Sequence, residues 1–363
     1  MTNFLLAGGG TGGHVNPLLA LAEHIRSVDS NAQIIALGTR EGLESRLVPE
    51  RGFELQTIAR LPFPRKPSLY ALQFPGKFLK AVAEIQALIK ARSVDVVVGF
   101  GGYASAPAYV AARRSGIPYV IHEANALPGM ANRMGASKAS AVGVAFASTK
   151  LPKAVHVGMP LRTEIESAIN SSNQAAARAH FGLNPNTPTL LVTGGSLGAR
   201  SVNQAVHAAE AILDAAGVQV LHIVGGNSEL EEIRTKSLVR IKYCDRMDLA
   251  IAAASLAIAR SGASTVCEFG AFGLPSVFVP YPVGNGEQRL NAADLVAAGG
   301  AVVVEDAKFT SEFVASQVIP LISNNKRLLE MTKAAKKGSI ADGTKRLYEL
   351  TLAVLTGKKA SGK

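Results

Sequence analysis

The sequence predicts an α/β protein built from two Rossmann-like parallel-sheet domains facing across a cleft, and three observations carry that expectation. An apolar run at its start breaks into Gly8-Gly9-Gly10-Thr11-Gly12-Gly13 and then into a helical pattern. The same order restarts at Thr189–Thr193, which runs into Gly194-Gly195-Ser196-Leu197-Gly198. Short Val/Ile/Leu-rich runs alternate with helical stretches throughout, as buried parallel strands covered by helices require.

In the first half, Asn3–Ala7 reads as a strand and residues 15–28 as the helix after it. The glycine turn between them leaves backbone N–H groups at a helix N-terminus, a seat for anionic oxygen. Only a backbone without side chains bends so tightly and approaches a ligand so closely. His14 stands at the mouth of the turn and can titrate near neutral pH. Strands are expected at 33–37 and 54–58, with a short helix at 41–50. Pro75 is expected to open a helix whose Phe78, Val82, Ile85 and Ile89 form a core-facing stripe. Off that stripe lie Phe63, Tyr70, Phe74 and Leu79, interleaved with Arg60, Arg65, Lys66, Lys77 and Lys80. Two readings fit. In one, Phe63, Tyr70, Phe74, Lys77 and Lys80 form a patch for an anionic membrane boundary. In the other, the aromatics pack beneath a loop and the lysines face water.

Strand 94–100 runs into Gly101-Gly102-Tyr103, with a helix at 106–114 behind it. Strand 118–121 delivers His122-Glu123-Ala124-Asn125 at its end. Ligands of open parallel sheets gather at the carboxyl ends of strands, so both sets share an edge with His14. His122-Glu123 takes part in the chemistry or fixes a neighbouring loop. A helix at 128–138 and strands at 141–145 and 154–157 complete this half, ending in Gly158-Met159-Pro160-Leu161-Arg162.

From 170 to 188 the chain turns polar, so domains of 1–168 and 169–363 are expected, the last helix being free to pack back on the first domain. Beyond the second glycine turn come a helix at 201–215 and strands at 219–224, 239–242, 256–259, 276–279 and 301–304. Arg260 to Thr265 is a polar turn into a helix that carries Glu268. A carboxylate there suits the two hydroxyls of a ribose, or simply complements the helix dipole. Pro280 to Gln288 is an irregular loop rich in groups for sugar hydroxyls, and helices at 311–323, 326–337 and 344–355 close the chain. Two anion-seating turns, one per half, imply a ligand held in the cleft between them.

Composition narrows the partners. The chain has 363 residues, 48% of them hydrophobic, with 35 glycines, and is long enough for two cores. Its two cysteines exclude a disulfide framework and fit a reducing compartment. The first strand leaves no room for a signal peptide ahead of it, and the apolar stretch 249–259 is too short to span a bilayer. A net charge of +11 points to a polyanionic partner, although Lys358, Lys359 and Lys363 belong to a solvated tail. No nucleic-acid signature accompanies the charge, which leaves anionic lipid and phosphorylated substrates. Asp245 and Asp248 lack Asp-x-Asp spacing, so no metal and no other cofactor is expected.

Taken together and in order, these motifs resemble a family of bacterial cell-wall glycosyltransferases. The family moves N-acetylglucosamine from UDP-GlcNAc to the 4-hydroxyl of the N-acetylmuramoyl unit of lipid I, making lipid II in peptidoglycan synthesis. The signatures are Gly8 to His14, Gly101-Gly102-Tyr103, His122-Glu123 with Asn125, Gly158 to Arg162, Gly194 to Ala199, Arg260 to Glu268, and Gln288 with Asn291. The resemblance implies the two-domain GT-B architecture, with the acceptor and membrane on the first domain and UDP-GlcNAc on the second. It implies His14 as general base, with Asn125 orienting the sugar and Glu123 beside them in the catalytic set. Thr11, Gly12 and Gly13 would touch the donor sugar and diphosphate, while Arg162 and Ser196 hold the nucleotide phosphates. The main chain at Cys244 would meet the uracil, with Met247 beside it and Glu268 on the ribose. Ala263, Ser264, Thr265 and Gln288 would complete the pocket. The implied setting is peripheral, on the anionic cytoplasmic face of the cell membrane, among other cell-wall synthesis proteins and without nucleic acid. Ala124 and Leu197 stand where the family has Gln, Glu287-Gln288 replaces a Gln pair, and Val283-Gly284-Asn285 lacks the usual charges.

Two rivals remain open to test. Gly8-Gly9-Gly10-Thr11-Gly12-Gly13 contains G-x-G-x-x-G, and Arg40 after the second strand suits the 2′-phosphate of NADP, as in an oxidoreductase. A non-catalytic sugar-nucleotide or lipid-binding module is the other.

Overall fold

The computed structural model describes residues 1–64, 66–283 and 285–357. Arg65, Gly284 and the tail lysines Lys358, Lys359 and Lys363 lie outside the described residues. The chain forms two compact units, residues 1–163 with 342–363, and residues 164–341. The boundary thus falls five residues before the expected one. Val157, Met159 and Leu161, past the last strand of the first half, are still buried, so the chain has not yet left that unit's core.

Unit 1 is a sheet of β1 (Asn3–Ala7), β2 (Gln33–Thr39), β3 (Glu54–Ile58), β4 (Val96–Gly99), β5 (Tyr119–Glu123), β6 (Ala141–Val144) and β7 (Ala154–His156). The order is β3-β2-β1-β4-β5-β6-β7 and each neighbouring pair is parallel. Leu5 pairs with Ile35 on one side and Val97 on the other. Side chains alternate along a strand, so Phe4 and Leu6 enter one core while Leu5 and Ala7 enter the opposite one. The first core is covered by α1 (Gly12–Val28) and by the helix Gly343–Leu355, through Leu18, Leu347 and Leu350. Gly343 explains how closely that last helix docks: a Cβ there would come within 2.3 Å of the Met159 carbonyl oxygen. The second core is covered by α3 (Leu69–Ala91) and α4 (Ser105–Arg114), which follow α2 (Glu44–Glu50), while α5 (Met130–Ala136) packs against α4.

α3 starts six residues before Pro75, where the helix was expected to open. Ser68 is the reason: its hydroxyl accepts the Ala71 amide and caps the helix there. Pro75 then sits inside the helix on its exposed side, where its missing N–H is tolerated.

Unit 2 opens with α6 (Thr163–Ala168), whose first residue still belongs to unit 1, and α7 (Gln174–His180). Its strands are β8 (Thr189–Thr193), β9 (Gln219–Ile223), β10 (Ile233–Arg234), β11 (Leu238–Ile241), β12 (Leu256–Ala259), β13 (Ser276–Phe278) and β14 (Ala301–Val303). They run β10-β11-β9-β8-β12-β13-β14, parallel except for β10 against β11. The two-residue edge strand β10 has no sequence signal. The expected helix 201–215 is two helices, α8 (Arg200–Ala208) and α9 (Glu210–Ala215), meeting at Ala209.

Candidate active site

In unit 1 the strand order reverses between β1 and β4, which opens a crevice at their carboxyl ends. The turns after these strands meet there. Gly102 has φ of +79°, and a Cβ on it would lie 2.3 Å from the Gly9 carbonyl oxygen. Ser105 fastens the two strand ends: its Oγ accepts the Gly101 amide (3.0 Å) and lies 2.9 Å from the Ala7 carbonyl oxygen, to which it can donate. Thr11 is the residue before α1, yet its side chain does not cap the helix. The His14 and Val15 amides turn back to the Thr11 carbonyl. Gly12 and Gly13 open the helix beside them, so the expected anion seat stands uncapped by protein side chains.

His14 extends from this turn. Its Nδ1 lies 3.1 Å from the Gly9 carbonyl oxygen and 3.4 Å from Thr11 Oγ1. A carbonyl only accepts, so Nδ1 carries the proton and Nε2 keeps its lone pair. Nε2 lies beside Gly101, where a Cβ would come within 3.0 Å of it. His14, Gly101, Gly102, Tyr103 and Glu123 line a cavity of about 760 Å³ in unit 1. The far wall is apolar, with Phe63, Tyr70, Phe74 and Phe78.

Glu123 has its oxygens engaged by a loop. Oε1 accepts the Asn125 amide (2.9 Å), and Oε2 accepts the Gly129 amide (2.9 Å) and Asn132 Nδ2 (2.9 Å). It therefore braces the loop 124–129 and the start of α5, while lining the same cavity as His14. Asn125 rides on that loop, its carbonyl accepting from Thr149 Oγ1 (3.1 Å). His122 is fully buried and sits 2.9 Å from the Gly158 carbonyl oxygen through Nε2. Burial pushes its pKa down to about 4, so it is a neutral strut under the segment that leads to Arg162.

The aromatic patch divides in two. The rings of Phe63 and Phe74 pack tilted to each other at 5.0 Å between centroids, as do those of Phe74 and Phe78 at 5.9 Å, and Tyr70 donates to the Pro62 carbonyl (2.9 Å). Phe74 and Phe78 pack on the unit 1 core. The side chains that face outward are Leu69, Leu72 and Leu79, at 72%, 81% and 48% exposure, with Lys77 and Lys80 exposed beside them. The aromatics thus pack as in the loop reading, and the sequence pattern, which named Leu79, missed Leu69 and Leu72 because the helix was expected to begin after them.

In unit 2 the reversal lies between β8 and β12. The turn 194–199 leads to α8, and 260–262 leads to α11 (Ala263–Phe272); neither helix start has a side-chain cap. Gly198 has φ of +86°, and a Cβ there would lie 2.2 Å from the Val224 carbonyl oxygen. Ser196 is exposed at the tip of its turn, and its carbonyl accepts the Gly226 amide (2.9 Å). Ala263 is buried and Ser264 and Thr265 half-buried in the first turn of α11, with Glu268 buried one turn on and on the same face as Ser264. Ser261 Oγ, just before that helix, is buried with no partner among the described residues. Arg260 is the strut of this end: it donates to the carbonyls of Val279 (3.0 Å) and Pro280 (3.2 Å) and to Ser201 Oγ (3.0 Å), and pairs with Asp306. Gln288 Oε1 accepts the Tyr281 amide (2.9 Å) and so closes the loop ahead of it. Cys244 is buried beyond β11, and Met247 opens α10 (Met247–Ala253). Arg246 grips Asp248 with both arms (3.0 and 2.7 Å), which holds that carboxyl below the usual range.

The expected residues therefore gather at two strand-order reversals, one in each unit. His14, Thr11, Gly12, Gly13, Glu123 and Asn125 lie at the first; Ser196, Ala263, Ser264, Thr265 and Glu268 lie at the second. Arg162 belongs to unit 1 and is half-buried between β7 and α6. The sequence reading missed Glu44, a carboxylate buried beneath the first glycine turn. Among the described residues no group of three or more His, Cys, Asp or Glu could hold a metal ion.

Residues 4–144 match the glycosyltransferase family 28 N-terminal domain, and residues 189–347 its C-terminal domain. A protein of Leifsonia xyli subsp. xyli named UDP-N-acetylglucosamine–N-acetylmuramyl-(pentapeptide) pyrophosphoryl-undecaprenol N-acetylglucosamine transferase is 54% identical, over 99% of this chain and all of its own. A protein of Streptomyces coelicolor with the same name is 47% identical over 91% of this chain and 92% of its own. Among solved structures, that of Acinetobacter baumannii MurG superposes with a TM-score of 0.77 at 27% identity, covering 97% of this chain and 99% of that one. The calicheamicin glycosyltransferase CalG4, at 17% identity and a TM-score of 0.66 over 98% of this chain and 99% of its own, shares the fold.

Proposed function

The chain belongs to glycosyltransferase family 28, and from that premise we infer that it transfers N-acetylglucosamine from UDP-GlcNAc to the 4-hydroxyl of MurNAc in lipid I, forming lipid II. It is an N-acetylglucosaminyltransferase of peptidoglycan synthesis. The observation that carries the mechanism is the His14 ring, whose Nδ1 is held by the Gly9 carbonyl and whose Nε2 keeps a lone pair on the unit 1 cavity.

In our reading Nε2 takes the proton of the acceptor hydroxyl as its oxygen attacks C1 of the donor sugar. The C1–O bond to the diphosphate breaks in the same displacement, and UDP leaves with the electron pair. The configuration at C1 inverts. The departing charge needs stabilisation. The uncapped N-termini of α8 and α11 supply oriented amides for it, with Ser196, Ser264 and Thr265 beside them and Arg162 adding a full positive charge. Glu268 receives the ribose hydroxyls, the main chain at Cys244 receives the uracil, and Met247 packs beside it. Thr11, Gly12, Gly13 and Asn125 serve the sugar and diphosphate from unit 1, and Gln288 serves through the loop it closes. Glu123 is a positioning residue for Asn125.

The acceptor is a lipid, and this supports peripheral attachment to the anionic cytoplasmic face of the cell membrane through the leucines and lysines of α3. No helix among the described residues is long and apolar enough to cross a membrane. The reaction itself is tested by UDP release from UDP-GlcNAc with and without a lipid I analogue. Release that depends on the analogue is the expected result. Binding of UDP-GlcNAc without acceptor-dependent release would leave a binding module, and a thermal shift with NADPH in place of UDP-GlcNAc would favour an oxidoreductase.

A further inference from the structure

Beneath the first glycine turn lies a carboxylate that the mechanism above does not use. Glu44 opens α2 and is completely buried. Its Oε1 accepts the Thr39 amide (2.8 Å) and Thr39 Oγ1 (2.9 Å), and its Oε2 accepts the Gly10 amide (2.8 Å). It sits in a cage of glycines. A Cβ on Gly9, Gly38 or Gly42 would come within 2.2, 2.3 or 2.1 Å of the carboxylate end or stem of this side chain. Those glycines are thus required by a carboxylate, whatever ligand the turn holds. A buried carboxylate is costly even when its oxygens are hydrogen-bonded, so its place here calls for a use.

Its use follows from the peptide it grips. The Gly10 N–H bonded to Glu44 and the Gly9 carbonyl bonded to His14 Nδ1 belong to one peptide group. That group is planar and trans, so fixing the direction of its N–H fixes the direction of its carbonyl. A negative charge on the N–H side also polarises the peptide and strengthens its oxygen as an acceptor. We propose that Glu44 is a positioning residue for the transfer, acting through the Gly9–Gly10 peptide to hold His14 in the tautomer that is basic at Nε2 and to stabilise the imidazolium formed when Nε2 takes the acceptor proton. The arrangement does the work of a carboxylate bonded directly to a catalytic histidine, with one peptide group between them. The proposal rests on His14 being the base.

The test compares wild type, Glu44→Gln and His14→Ala in kcat, in UDP-GlcNAc Kd and in the pH profile of kcat/KM. Lys66, Tyr70, Tyr103 and Glu123 are the other titratable groups lining the cavity with His14, and all four are unchanged in these variants. In Glu44→Gln, kcat falls about tenfold or more, donor Kd stays within about twofold, and the acid limb of the profile moves to lower pH because the imidazole is less basic. A merely structural Glu44 would lower the melting temperature and leave that limb in place. Loss of rate in His14→Ala with an unchanged limb and kcat in folded Glu44→Gln would overturn the relay alone. An unaffected His14→Ala would instead overturn the base assignment. Should the amide fail to fold, Glu44→Asp keeps the charge but draws it back from Gly10, and it shifts the limb the same way. Nitrogen-15 shifts of His14 in the unaltered protein above pH 8 give a further check: Nδ1 must be the protonated nitrogen, and a protonated Nε2 would refute the relay.

Discussion

His122 in unit 1 and His222 in unit 2 are buried without charge, and each makes stability depend on pH. His222 lies 3.1 Å from Asn203 Oδ1 through Nε2, and burial, aided by the nearby Arg240, pushes its pKa down to about 3. His122 is pushed down to about 4 by burial. In the unfolded chain both take a proton near pH 6.5, whereas the folded units refuse it until pH 4 or below. The unfolded state then binds more protons, so stability is complete above about pH 6.5 and is lost as pH falls toward 4. Each histidine costs about 1.4 kcal/mol per pH unit across that window. Urea unfolding of wild type and His222→Gln at pH 7.5 and 5.0 checks this: the variant's loss is expected to be the smaller, and equal losses would contradict the assignment. At this scale the sequence is legible where a residue type is unusual for its place, as with His14 after five glycines. Glu44 was invisible because a lone glutamate in a helical stretch reads as a solvated face. Its signal, the glycines at 9, 38 and 42 around it, is split between two strand ends.

Among the elements, α3 carries the membrane expectation, and its structure changes which residues matter. Phe63 and Phe74 line the cavity, and Phe74 packs on the core, so replacing them perturbs the fold and the site together. Leu69 and Leu72 face outward and touch neither core, so they isolate the surface. Leu69→Asp/Leu72→Asp is expected to sediment less with phosphatidylglycerol vesicles while keeping its melting temperature. Undiminished sedimentation would remove α3 as the contact. Strand cores such as Asn3–Ala7 and Thr189–Thr193 are read to the residue from sequence, because continuous apolar runs bounded by glycine or polar turns leave little choice. Helix starts are less legible. Pro75 is a strong local signal, yet the hydroxyl of Ser68 supplies a cap about two turns earlier, and the more exposed leucines of the helix lie between them.

For the whole molecule, the repeated strand–glycine–helix pattern was enough to read two parallel-sheet units, since each sheet restarts after a polar segment. The return of residues 342–363 to unit 1 depends on Gly343 meeting Met159, a contact across nearly two hundred residues that no local pattern carries. The division also separates two jobs. Unit 2 holds the uncapped helix starts, Ser196 and Glu268, to which the proposed mechanism gives the nucleotide, and unit 1 holds the imidazole. A change at His14 should therefore slow chemistry and leave the nucleotide's grip alone. The most direct measurement is kcat with a lipid I analogue, set against UDP-GlcNAc Kd, for His14→Ala and wild type. The account predicts kcat lower by about a hundredfold or more with Kd nearly unchanged. Turnover equal to wild type, or a loss confined to donor binding, would contradict it.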